Sequence, residues 1–130
     1  MSKSALGFIF AGLAYLLIGV TLGALFFIYP ETRVLRAVHT HVNLVGFVMF
    51  LIVGVSYHIL PRFRGKPLYS EKLAWWQFWI ANIGLFGMLI FLGIGSYNYF
   101  DALKALQSVF GGLLAVSFYL FVLNMGKTLK

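Results

Sequence analysis

Residues 36–60 read RAVHTHVNLVGFVMFLIVGVSYHIL, and between Arg36 and Arg62 no Lys, Arg, Asp or Glu occurs. A helix needs roughly 20 apolar residues to cross a bilayer core of about 30 Å, so this stretch predicts a membrane-spanning helix. Similar runs lie before and after it, and we place four spans at 4–29, 33–60, 70–96 and 102–125. Little is left for anything else, so residues 1–130 are expected to form a single integral membrane domain. The composition agrees: 62% of residues are hydrophobic and 10% charged, with a mean hydropathy of +0.94, far from the mixture of a soluble domain. The fold class expected is all-α, an antiparallel bundle of four transmembrane helices. The first run is longer than the roughly 7–15 residues of a signal-peptide core, so it is read as a retained helix.

The net charge of +7 raises the question of nucleic acid, and the placement of the charges answers it. Lys3, Arg62, Arg64, Lys66, Lys72, Lys127 and Lys130 fall on the side holding both termini and the second connection, whereas Arg33, Arg36 and Lys104 fall on the other. By the positive-inside rule both termini are expected in the cytoplasm. No nucleic-acid role is expected, and the Arg62–Lys66 cluster is read as contacting membrane lipid. Cysteine is absent, which removes disulfides, thiolate metal sites and cysteine nucleophiles.

The first connection, Pro30-Glu31-Thr32, suits a tight turn between antiparallel neighbours. In the second, Pro61 and Gly65 are expected to stop one helix and Ser70 to cap the next. The third, near residues 97–101, carries aromatics suited to a membrane interface. Glycines at 19, 23, 46, 54, 84, 87, 111 and 112 let helices approach closely in lipid. They serve either packing within the bundle or association of subunits.

All three histidines, His39, His41 and His58, fall in the second span. Ionisable groups at membrane depth are costly and mark function by default. At about 1.5 Å per residue, His39 and His58 stand roughly 28 Å apart, near opposite faces. Positions i and i+2 differ by roughly 200° around a helix, so His39 and His41 point to nearly opposite sides and cannot share one ion. Tetrahedral zinc is therefore not expected from one chain, and neither copper nor a Ser-His-Asp arrangement has its residues. Each imidazole can instead serve a ligand on its own side of the helix, and imidazole is an axial ligand of haem iron. Arg36 and Arg33, about one and two turns earlier, can pair with propionates. The plainer reading is hydrogen bonding across helices or to Asn43, Thr40, Asn82 or Gln107.

Residues 36–79, RAVHTHVNLVGFVMFLIVGVSYHILPRFRGKPLYSEKLAWWQFW, resemble the second and third helices of the haem–copper oxidase catalytic subunit, most closely the nitric oxide reductase large subunit. The Arg-x-x-His-Thr that opens the family's second helix is matched by Arg36, His39 and Thr40; Gly54, Tyr57, Pro61, Leu68-Tyr69-Ser70 and Phe78-Trp79 extend the likeness. The resemblance implies haem b with His39 as axial ligand near the outer face and Arg36 beside its propionates. It also implies the cytoplasmic membrane of a bacterium or archaeon. His39-Thr40-His41 is similar, too, to a His-x-His of a later family helix that serves two haems on its opposite sides.

The family's remaining metal ligands come from helices beyond these four, so the chain is not expected to be a complete oxidase or nitric oxide reductase on its own. A second axial histidine has to come from another copy, which predicts a homo-oligomer, a dimer or trimer, with haem at or beside the interface. Met49, Met88 or Met125 is the alternative sulfur ligand. His58 is read first as an interfacial residue, and otherwise as serving a second haem, a quinone head group or proton exchange. Trp75, Trp76 and Trp79 are read as interface anchors. Electron transfer and redox or gas sensing (nitric oxide, oxygen) are the expected roles, with a respiratory or quinone electron partner. The rival from another class is a non-haem scaffold or assembly subunit of a respiratory complex.

Overall fold

Ser2 starts the first helix. Its Oγ accepts the Ala5 N–H at 3.2 Å, and α1 (Lys3–Ile28) follows. The computed structural model describes residues 1–130, which are helical throughout apart from short connections. Four helices are long and apolar enough to cross a membrane: α1, α2 (Pro30–Arg64), α3 (Glu71–Tyr97) and α4 (Asp101–Leu129). Both termini lie at one end, where Arg64 donates from Nε to the Leu129 carbonyl at 3.0 Å and from Nη2 to the Lys130 carbonyl at 3.1 Å.

The second helix is not uniform. Pro30 stands at its first position, where a missing N–H costs nothing, and a 3-10 segment Pro30–Leu35 leads into a short α segment Arg36–His41. Val42–Met49 is π-helical, and Phe50–Arg64 returns to α geometry. The wider π turns change which side chains share a face, so straight α periodicity cannot be carried from the first histidines to the last.

The expected stop at Leu60 is corrected here: the helix passes through Pro61 and ends at Arg64. Proline removes one hydrogen bond but does not forbid another turn. Gly65 ends the helix, at φ 68°, with its N–H on the Arg62 carbonyl at 3.0 Å and the Lys66 N–H on the Pro61 carbonyl at 3.1 Å. That left-handed cap favours glycine.

Ser70 caps α3 as expected, its Oγ accepting the Leu73 N–H at 3.1 Å. The buried Asn124 of α4 holds the same residue from both sides: Ser70 N–H donates to Asn124 Oδ1 at 3.1 Å, and Asn124 Nδ2 donates to the Ser70 carbonyl at 2.9 Å. Replacing Asn124 by Ala should leave the Ser70 N–H without its partner, at a cost of about 1–3 kcal/mol, while the Ser70 carbonyl keeps the Ala74 N–H at 3.1 Å. Unfolding in detergent, followed by circular dichroism, should report the lower stability; an unchanged midpoint would show that the clamp contributes nothing.

Helices α1 and α2 bury facing stripes, Ala5, Phe8 and Tyr15 against Val42, Phe50, Val53 and Tyr57. Phe50 meets Phe8 and Tyr15 edge-on, with ring centroids 5.2 and 5.5 Å apart. Gly46 lies under the Tyr15 ring, and Gly54 against Phe8 and the Ala5 carbonyl. Helices α3 and α4 pack as closely, Gly84 on the Leu114 backbone and Gly87 on Phe110. Six of the eight glycines singled out thus pack within the chain; Gly112 faces open space and Gly111 has only the Met88 sulfur nearby.

Candidate functional site

His39 projects from the first turns of α2 towards α1, where Gly19 and Gly23 leave room for it. A methyl group on Gly23 would come within 2.9 Å of His39 Cε1. His39 Nδ1 lies 3.0 Å from the Gly19 carbonyl oxygen. A carbonyl can only accept, so this contact calls for the tautomer with the proton on Nδ1 and the lone pair on Nε2. Asn43, one turn on, donates from Nδ2 to the His39 carbonyl at 2.9 Å, and the same nitrogen lies 3.2 Å from Nδ1 and 3.5 Å from Nε2. Phe26 packs edge-on against the imidazole, centroids 5.3 Å apart. The ring is held from three sides.

His39 opens into a groove of about 500 Å³ lined by Gly23, Phe26, Phe27, Arg33, Arg36, His39 and Thr40. Two of the residues paired with His39 on sequence grounds, Arg33 and Arg36, are therefore beside it. Arg33 is braced by its Nε–H on the Phe26 carbonyl at 3.2 Å, and the Thr40 hydroxyl donates to the Arg36 carbonyl at 3.0 Å. No carboxylate lines the groove. Its potential is positive at the rim and its walls are aromatic, a combination suited to a flat apolar group that carries acids.

His41 is not part of this groove. Its Nδ1 lies 2.8 Å from the Ala37 carbonyl, one turn back on its own helix, and it is absent from the groove's lining. His58, at the far end of α2, accepts from Arg62 Nη1 at 2.8 Å. No three His, Asp or Glu side chains converge on a common point. Hydrogen bonding of His39 across to another helix was the plainer sequence reading, and the structure contains it; with the proton on Nδ1, Nε2 meets only the long 3.5 Å contact of Asn43, so the two readings do not compete.

Gly19, Gly23, Phe26 and Phe27 were not tied to the histidine from sequence. The signal was present in part: Gly19 and Gly23 are one turn apart, and Phe26-Phe27 ends the same helix, but only the fold sets that face against His39.

Residues 3–130 match the protein family described as Cytochrome C and Quinol oxidase polypeptide I. The chain belongs to the haem–copper oxidase subunit I family. Relatives of this family member include a cytochrome c oxidase subunit 1 homolog, bacteroid, of Bradyrhizobium diazoefficiens, 26% identical over 71% of this chain and 21% of the relative. The quinol oxidase subunit 1 of Sulfolobus acidocaldarius is 31% identical over 65% of this chain and 16% of its own length. The cytochrome c oxidase subunit 1 of Rhodobacter capsulatus is 40% identical over 36% of this chain and 9% of its own length. The chain spans about a fifth or less of the length of these curated relatives. No solved structure matches significantly. The family and the four apolar helices together make this an integral membrane protein. The three relatives are named as oxidase subunits, so the narrower likeness to nitric oxide reductase does not rest on them.

Proposed function

We propose that this oxidase-family chain binds haem b through Nε2 of His39, with Arg33 and Arg36 at the propionates, and serves electron transfer or redox and gas (nitric oxide, oxygen) binding. The observation that carries the reading is the His39 bond to the Gly19 carbonyl at 3.0 Å. An imidazole whose Nδ1–H is anchored on a carbonyl is oriented and made more basic at the other nitrogen, the arrangement expected of a metal-ligating histidine. The groove of about 500 Å³ falls within the roughly 300–1,000 Å³ of small-molecule and cofactor sites. When bound, haem supplies a one-electron iron couple and, with an open axial position, a place for a diatomic gas.

The residues of this chain do the rest. Gly19 and Asn43 fix the imidazole, Phe26 and Phe27 keep water from one edge, and Arg33 and Arg36 place positive charge where acids would lie. Neither another histidine nor Met49, Met88 or Met125 lines the groove, so a second axial ligand would reach it from outside these residues. We therefore favour a dimer or trimer with the groove at or beside the interface, His41 being the other imidazole free to serve it. His58, held by Arg62, is assigned to the interface and not to iron. The seven cations at the end holding both termini, against three at the other, support cytoplasmic termini, and the bacterial or archaeal membrane rests on the family resemblance.

Absorption spectra of detergent-purified protein, oxidised, dithionite-reduced and exposed to carbon monoxide, with haem extracted and counted per chain, test the reading. Sharp reduced bands untouched by carbon monoxide would indicate two axial ligands, and a shift would indicate an open or displaceable one. Colourless protein after expression with ample haem would favour the non-haem scaffold instead. Replacing Arg36 by Gln should lower the midpoint potential, because removing a cation favours the more positive oxidised iron. The expected shift is on the order of 60 mV, equivalent to about 1.4 kcal/mol for one electron; spectroelectrochemical titration measures it.

A further inference from the structure

The end of the molecule that holds both termini carries a second site, unrelated to His39. A cavity of about 580 Å³ is lined by Ser2, Lys3, Ser4, Glu71, Lys72 and Trp75. A smaller one of about 220 Å³, lined among others by His58, Arg62 and Lys66, shares Ser2 and Glu71 with it. The two form one cleft around a single carboxylate, with Lys3 and Lys72 on one side and Arg62 and Lys66 on the other.

The carboxylate forms no ion pair with these cations. Glu71 Oε2 accepts the hydroxyl proton of the buried Ser4 at 2.9 Å, which turns it inward as part of the joint between α1 and α3. Arg62 donates to His58, a neutral acceptor, and Lys66 reaches only the Lys130 carbonyl at 3.5 Å. Four cations therefore face one carboxylate, and the cleft is complementary to an anion.

Its wall says which kind. Trp75 is stacked on Phe78, centroids 5.4 Å apart and planes at 20°, and meets Trp79 one turn further along α3 at 5.8 Å. Trp75 and Trp79 are 39% and 47% exposed, so an apolar aromatic track runs from the cleft down the outside of the helix. A free phosphate has no use for such a track, whereas the glycerol and acyl chain of a lipid do. Tryptophan at headgroup level and lysine beside it are also the residues that settle at a membrane interface.

We propose that this cleft is a binding site for one anionic phospholipid, its phosphodiester held by Lys3 and Lys72 with Arg62 and Lys66 adding long-range attraction, and its chain lying along Trp75 and Trp79. The lipid would tie α1 to α3 at the point where Ser4 and Glu71 already join them.

The test is native mass spectrometry of the full chain released from nanodiscs containing phosphatidylglycerol and phosphatidylcholine in equal amounts. One phosphatidylglycerol per chain should be retained in preference. The double variant Lys3→Gln, Lys72→Gln should weaken retention by about tenfold or more, since each cation near an anionic lipid surface contributes on the order of 1 kcal/mol. Lys127→Gln, at the same end but engaged with the Tyr69 hydroxyl at 3.2 Å, should leave retention unchanged. Circular dichroism establishes that the double variant folds, and the single variant Trp75→Ala, which keeps every charge, should also weaken retention. Equal retention of the two lipids, or equal loss in Lys127→Gln, would overturn the proposal. Displacement of phosphatidylglycerol by millimolar inorganic phosphate would assign the cleft to a free anion and overturn it as well.

Discussion

Replacing His39 by Ala is expected to lower haem retained per chain by about tenfold or more, while the helical circular dichroism of the detergent-solubilised protein stays the same. Loss of an iron–imidazole bond is at least as large as the roughly 10- to 100-fold losses seen when only the outer hydrogen-bond partners of a metal ligand are removed. The fold should survive because His39 is only partly buried and its cross-helix bond is one among many contacts between α1 and α2. His41→Ala and His58→Ala separate the alternatives. If the second axial ligand is His41 of another copy, His41→Ala should convert a spectrum insensitive to carbon monoxide into a sensitive one without emptying the site. His58→Ala should leave both haem content and spectrum unchanged. Unaltered haem in His39→Ala would reject the assignment at its root.

Gly23 gives a subtler version of the same test. A methyl group there would press on His39 Cε1 from 2.9 Å, which the imidazole can relieve only by tilting away from α1 and from the Gly19 carbonyl. Gly23→Ala is therefore expected to retain haem but to shift the reduced band, because the anchored Nδ1–H is what orients the ligand. A spectrum identical to wild type would mean that the ring has more freedom than its contacts suggest.

What could be read ahead of the structure follows from which forces act locally. The apolar runs reveal the four spans because the membrane requirement acts on composition over some twenty residues at a time. Ser70 was legible as a cap because its bond to the Leu73 N–H is local. Its second role, being gripped by Asn124 from 54 residues away, was not, since nothing near either residue encodes the meeting. Pro61 was over-read: proline weakens a helix, but the turn after it is closed by Gly65 and Lys66. The π segment 42–49 has no sequence marker such as proline, so its effect on the later faces of α2 could not be foreseen. At the site, Arg33, Arg36 and His39 line one groove, a neighbourhood that their spacing over two turns of one helix makes legible. Gly19, Gly23 and Phe26 complete the site from α1, and only the packing of two helices selects which face of α1 that is.

The glycines carry the last consequence, since their spacing alone cannot distinguish a packing joint inside the chain from a face turned outward. Gly84 is in a joint: a methyl group there would lie 2.6 Å from the Leu114 backbone nitrogen and 3.0 Å from the Leu114 Cα and the Phe110 carbonyl oxygen. Backbone cannot rotate away as a side chain can, so α3 and α4 would have to separate along their length to admit it. Overpacking of this kind costs typically about 1–3 kcal/mol, occasionally more, and here it also opens the contacts that stand in for hydrophobic driving force between helices in lipid. Gly84→Ala is expected at or above the upper end of that range, measured as the shift in unfolding free energy in mixed detergent. Gly112 has nothing within 4 Å, and Gly112→Ala should be neutral or stabilising by up to about 1 kcal/mol, the difference in helix propensity. Should Gly112→Ala instead destabilise the protein, or change its mass in native mass spectrometry, that open face of α4 would be covered by another helix, and the association of copies would run through α4 instead of through the His39 groove.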